Sequence, residues 1–206
     1  MRGWRRLRRS FLGPCAVAAA ALHVGSVVLA GMLTRDYDPG ARAISELGMI
    51  GQPSRTLVSF GGMMLPGALI VLTAALAWGL PELSRAARTG LAALGAAGAS
   101  LVVAGLVPFP SPIHLAAALA AGSGCAMALA AFSPWAARRL GSSAWKTSGL
   151  ACACLLAVDV VAWVLAEGLA RPPHGAMGLE QRAASFAGFA WWALCARALG
   201  RRHRAG

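Results

Sequence analysis

Apolar residues in this chain do not alternate with polar ones; they gather in six long blocks, approximately 11–33, 57–80, 87–107, 113–136, 146–168 and 183–200. Each block approaches the ~20 mostly apolar residues that carry a helix across the hydrocarbon core of a bilayer. The interruptions are equally clear. They are Pro81 with Glu82, "PFPSP" at 108–112, "ARRLGSSAWK" at 137–146, "RPPHGAMGLEQR" at 171–182, and the long polar stretch "TRDYDPGARAISELGMIGQPSR" at 34–55. The pattern predicts an all-α, polytopic membrane helix bundle of six transmembrane helices, with residues 1–206 forming one integral membrane domain and no soluble domain left over.

Composition strengthens that reading. The chain is 58% hydrophobic and 13% charged, with a mean hydropathy of +0.64, outside the range of ordinary soluble domains. Glycine is abundant at 25 residues, which suits helices that approach closely in lipid. All five cysteines (Cys15, Cys125, Cys152, Cys154 and Cys195) fall inside apolar blocks. Cys152 and Cys154 would point to nearly opposite sides of a helix, so small packing residues are expected rather than a disulfide framework or a metal site. Neither a metal nor a cofactor is expected.

The net charge of +12 would suit a nucleic-acid partner, but its distribution argues for a membrane. Of the 19 lysines and arginines, only Arg35, Arg42, Arg55, Arg171 and Arg182 fall on alternate connections; the rest occupy both termini and the connections near residues 85 and 140. Basic short loops stay cytoplasmic, so the N- and C-termini are placed inside the cell membrane and the 34–55 loop outside. Membrane lipids are then the expected partners, with no nucleic acid. Oligomeric state is not legible. The start "RRLRRSFLGPCAVAAAA" also has the form of a signal peptide, whose cleavage would leave five helices; the length of its apolar run favours a span.

The polar loop carries its own local signals. Asp38 precedes proline, and Gly48 closes the segment, predicting a short interfacial helix near 39–47 with Ile44 and Leu47 on one face. Three strings, "YDPGARAISELG" at 37–48, "GLVPFPSPIH" at 105–114 and "GLEQR" at 178–182, resemble the motif set of a prokaryotic family of six-helix membrane proteins catalogued as domain of unknown function 998. The resemblance implies a fold and a motif face rather than an activity. Carried over, its polar positions are Tyr37, Asp38, Pro39, Ser45, Glu46, Pro108, His114 and Arg182. The charge-derived topology puts all three strings at the outer pole, so Tyr37, Asp38, Ser45, Glu46, His114, Glu180 and Arg182 are the candidate ligand-binding residues. Alternatively, Arg182 pairs with Glu46 or Glu180 and only staples the loop to its neighbour.

Three ionisable residues lie within the blocks themselves. Asp159 sits deep in the fifth, where a charged carboxylate costs roughly 2.5–3.5 kcal/mol on insertion scales, and Trp163 and Glu167 follow it at helical spacing. His23 lies near the middle of the first. The two are expected either to meet as a buried proton-sensitive pair or to be satisfied separately by a backbone carbonyl or water.

No nucleotide-binding glycine signature, HExxH, GxSxG, inverted repeat or intramembrane-protease pattern is present in the sequence. The leading expectation is a binding protein whose outward polar pocket engages a lipid headgroup or other amphiphile, with Arg182 meeting an anionic group and the loop helix as lid. A second is an intramembrane enzyme on lipid-like substrates, with Ser45 or an activated water as nucleophile, His114 as base and Asp38 or Glu46 as its orienter. A third is proton or ion transport through His23, Asp159 and Glu167.

Overall fold

The computed structural model describes residues 2–168 and 177–202, with side chains over 10–166 and 177–201. Within them the chain is all-helical: α1 (Arg2–Leu33), a short 3-10 helix (Ile44–Gly48), a π-helical segment (Leu57–Met64) running into α2 (Leu65–Trp78), then α3 (Arg85–Leu106), α4 (Pro112–Leu140), α5 (Ala144–Gly168) and α6 (Met177–Arg202). Stretches within α1, α3, α4 and α5, and the continuous helix Leu57–Trp78, are long and apolar enough to cross a membrane. The protein is a membrane-embedded helix bundle. α6 carries more charge at its ends, and it packs against α1, α4 and α5, so the first and last helices are neighbours.

Local chemistry explains most boundaries. Ser84 Oγ accepts from the Ala87 N–H at 3.1 Å to start α3, and Ser111 with Pro112 starts α4. α4 ends on Gly141, whose φ of 70° is the left-handed cap conformation. At the pole bearing residues 79–84, Trp135 Nε1 donates to the Glu82 carbonyl and Arg139 pairs with Glu82 at 3.5 Å.

The first half of the second span is π-helical for a reason visible at Pro66. Proline brings no N–H, so the Gly62 carbonyl four residues earlier loses its α-helical donor from that position. The His23 ring supplies one instead, its Nδ1 lying 2.7 Å from the Gly62 oxygen. An irregular turn in one helix and a buried histidine in its neighbour therefore satisfy each other.

Small residues set the helix separations. At the α2–α3 crossing a Cβ on Gly67 would lie 2.6 Å from the Gly98 carbonyl oxygen, and one on Gly98 would lie 2.7 Å from the Gly67 oxygen. The core then divides. One cluster, centred on Phe132, Trp135 and Trp192, fills the bundle's middle and the pole nearest residues 79–84, with Trp192 Nε1 donating to the buried Thr73 hydroxyl at 3.0 Å. A second joins Val27, Ala30, Val58 and Ala104 to Ile44 and Leu47.

Two expectations from the sequence need correction. The short helix does not run over 39–47 along the surface; it is a 3-10 turn at Ile44–Gly48 with Ile44, Ser45 and Leu47 buried. Asp38 spends its carboxylate on the Gly40 N–H at 2.8 Å in a tight turn, so the helical start passes to Ala43, whose N–H is capped by Glu46 Oε1 at 2.9 Å. α6 begins at Met177 rather than near 183, so "GLEQR" is its first turn and not a loop before it.

The glycine crossing yields a direct prediction. Gly98→Ala should destabilise the bundle by roughly 1–3 kcal/mol, because the new methyl meets backbone rather than a side chain that can swing away. Gly25→Ala, where an added Cβ meets nothing within 4 Å, should be neutral or slightly stabilising. Thermal unfolding in detergent distinguishes the two.

Candidate binding cavity beneath the motif loops

The three sequence strings come together at one pole. Leu179 donates its N–H to the Gly40 carbonyl at 2.9 Å, and Gln181 Oε1 accepts from the Ile44 N–H at 2.7 Å, so the first turn of α6 and the loop satisfy each other's unpaired backbone groups. Gly178 permits the approach, since a Cβ there would run into the Arg42 and Pro39 carbonyl oxygens.

Arg182 locks this contact. Its Nη1 lies 2.8–2.9 Å from the carbonyl oxygens of Pro39, Arg42 and Gly178, and its Nη2 donates to the Tyr37 hydroxyl. The hydroxyl in turn donates to the Ala43 carbonyl at 2.8 Å. Both guanidiniums of the region lie over the Tyr37 ring, Arg42 at 5.4 Å and Arg182 at 5.3 Å. Glu46 pairs with Arg42 at 2.8 Å, not with Arg182. Arg182 therefore faces carbonyl dipoles and a phenol rather than a carboxylate. Burial raises the Tyr37 phenol above its ordinary value of 10.0, against a smaller opposing pull from Arg182.

Under this clasp lies a cavity of about 130 Å³, adjoined by a smaller one of about 40 Å³; Ser45, Ala118, Gly122, Asp159 and Gln181 line both. The walls are mainly apolar, from α2 through α6. The larger cavity reaches down to His23, Phe189 and Trp192, and the smaller reaches His114 and Trp163.

Several polar groups on residues in these walls lack a partner. His114 is 3% exposed, His23 4% and Trp163 7%, yet His114 Nε2, His23 Nε2 and Trp163 Nε1 have no hydrogen-bond partner. Neither Ser45 nor Asp159 makes a side-chain hydrogen bond among the described residues. The histidine tautomers follow from the other ring nitrogen. His114 Nδ1 lies 2.8 Å from both the Ala104 and Val107 carbonyl oxygens, so it must carry the proton, and the neutral ring then offers a bare Nε2 lone pair. His23 is in the same state through Gly62, held flat by Phe189 stacked at 4.3 Å.

The sequence candidates thus divide. Ser45, His114, His23 and Asp159 line the cavities; Tyr37, Glu46 and Arg182 form the clasp above; Asp38 is exposed and turns the loop. His23 and Asp159 share a cavity wall without bonding to each other. His114 is oriented by two carbonyls, so neither Asp38 nor Glu46 serves as its partner. Glu180, in the first turn of α6, lies within electrostatic reach of Asp159, while the Glu167 side chain lies outside the described residues. Gln181, also within "GLEQR", is not singled out by the sequence, because an uncharged amide gives no signal until a loop N–H is placed against it.

Two measurements test the clasp. Tyr37 is the chain's single tyrosine, so phenolate absorbance reads it alone. Its midpoint should lie above 10 in the folded protein and return to about 10 on unfolding; a raised folded value means the clasp's stability persists below pH ~10 and is lost as pH rises through the folded midpoint. Arg182→Lys, which cannot reproduce the planar fork, should cost about 1.5–3 kcal/mol and open residues 34–55 to proteolysis.

Among curated proteins and among solved structures, none matches this chain. A family model does, described as protein of unknown function (DUF998), and it spans residues 17–198, from the first turns of the apolar part of α1 to the last turn of α6. It takes in the loop, the α3–α4 turn and the clasp alike. On that match, which covers nearly the whole bundle, the chain belongs to the DUF998 family.

Proposed function

We propose that this protein binds the polar head of a membrane amphiphile in the cavity beneath the clasp, with the cavity opening towards the outer leaflet of the cell membrane. The observation that carries this reading is the set of unpartnered polar side chains on apolar walls. A buried polar atom without a partner costs about 1–3 kcal/mol. His23 Nε2, His114 Nε2 and Trp163 Nε1 are three such atoms on residues that line the adjoining spaces, a cost that a ligand's own polar groups would offset. The apolar remainder of the cavity suits a hydrocarbon chain. At about 130 Å³ it is close to the ~150 Å³ that holds one benzene molecule, enough for a head and its first carbons.

The basic residues near both termini and residues 85 and 140 support placing the clasp outside, as does the near balance of charge in the 34–55 loop. In this arrangement the loop is a lid, and Arg182 is its fastening rather than a ligand contact. An enzyme reading keeps one supporting observation: Ser45 and the bare His114 Nε2 line the same small cavity.

Filling the shared wall tests the binding reading. A twelve-carbon alcohol at a hundredfold excess over its Kd should raise the Tm of the purified protein in nanodiscs by roughly 5–10 °C. Ala118→Phe, which projects a ring into both cavities, should fold and lose that response. An unchanged response in the filled variant would contradict the proposal.

A further inference from the structure

We infer that the head group this cavity selects is a protonated primary amine, not a phosphate. The inference rests on the binding reading above and adds the chemistry of the ligand. It comes from the charge of the cavity walls, taken together with the hydrogen-bonding positions they leave open.

Each histidine proton is already committed to backbone carbonyls, so each ring keeps an open acceptor, Nε2, on a residue that lines the cavity, His23 the larger space and His114 the smaller. Asp159 lines both spaces and, when ionised, adds only acceptors. Against these stand the Trp163 Nε1–H and the side-chain amide NH2 of Gln181, whose oxygen is already taken by the Ile44 N–H, with the Ser45 hydroxyl serving either way. Neutral donors and acceptors are thus both on offer, and the group that distinguishes one head from another is the Asp159 carboxylate.

Charge points the same way. No lysine or arginine lines either cavity, and the nearby guanidiniums of Arg42 and Arg182 are directed at Glu46, carbonyl oxygens and Tyr37. A phosphate entering here would meet a carboxylate with no cation beside it, a like-charge contact in a poorly solvated site. An ammonium group instead supplies the opposite charge to Asp159 and three N–H donors. Glu180 lies near enough to add to the same negative field. A simple metal ion is a poorer fit: among the described residues no three His, Cys, Asp or Glu side chains are grouped to hold one.

Four amphiphiles with the same twelve-carbon chain separate charge from hydrogen bonding: dodecylamine, dodecyltrimethylammonium, dodecanol and dodecyl phosphate. Their affinities for the full chain in nanodiscs, corrected for partition into the lipid, are read from tryptophan fluorescence and thermal shift. The inference predicts dodecylamine at least tenfold tighter than the trimethylated cation, which has charge without donors, and than dodecanol, with dodecyl phosphate weakest. Asp159→Asn should remove the amine's advantage over dodecanol while leaving dodecanol binding itself in place. Equal affinities for all four heads, a phosphate that binds as tightly as the amine, or an amine preference that survives in Asp159→Asn would each overturn the inference while leaving cavity binding intact. Saturable binding of none of the four would overturn the binding reading as well. If Asp159→Asn does not fold, the ranking of heads on the unaltered chain still decides.

Discussion

The guanidinium of Arg182 holds the end of one helix against the backbone of a loop more than a hundred residues away, and the interior of the bundle takes its form from that contact. Pro39, Arg42 and Gly178 carbonyls converge on Nη1 while Tyr37 meets Nη2. With those bonds in place, Ile44 and Leu47 are pressed into the packing between Val27 and Val58, and Ser45 is turned down over the cavity. Without them the loop would have no reason to bury a 3-10 turn of only five residues, since so short a helix has little stability of its own. Gly178 is the geometric condition for the contact, and it is completed by the Leu179 N–H donating to the Gly40 carbonyl and the Ile44 N–H donating to Gln181 Oε1.

Below the clasp, irregular backbone and unpaired side chains are linked rather than scattered. Pro66 withholds a donor, the second span widens into a π-helix, and the Gly62 carbonyl takes the proton of His23. That bond fixes which nitrogen of His23 remains open. A parallel arrangement at the α3–α4 turn, where two carbonyls claim His114 Nδ1, fixes the other ring. Both histidines are thereby set as acceptors by backbone carbonyls on neighbouring elements.

The helices were legible because hydropathy over ~20 residues is a long-range average that tertiary contacts rarely overturn. Five spans appear where their apolar blocks lie, with ends shifted by capping residues such as Ser84 and Gly141. The short loop was less legible. Asp38 followed by Pro39 is an ordinary helix start, yet the carboxylate closed a turn on Gly40 and left Glu46 to cap Ala43. The sixth helix began earlier than its hydropathy suggested, because its polar first turn is stabilised by the loop and not by lipid. Charge complementarity between Arg182 and a carboxylate was a reasonable reading of composition; carbonyl oxygens, which every residue carries, leave no trace in a sequence. Asp159 and His23 could be named as intramembrane groups, but only the packing of α1, α5 and α6 shows them on one cavity wall without touching.

The central claim is that the space beneath the clasp exists to be filled by a polar-headed ligand. An experimental density map of the protein purified with its native membrane lipid, at a resolution that shows side chains, addresses it most directly. The account predicts elongated density in the cavity, its wide end within hydrogen-bonding distance of Asp159 and His114 Nε2 and its tail leading towards the hydrocarbon. A cavity closed by inward movement of α5, or holding only isolated waters on those same atoms, would contradict it.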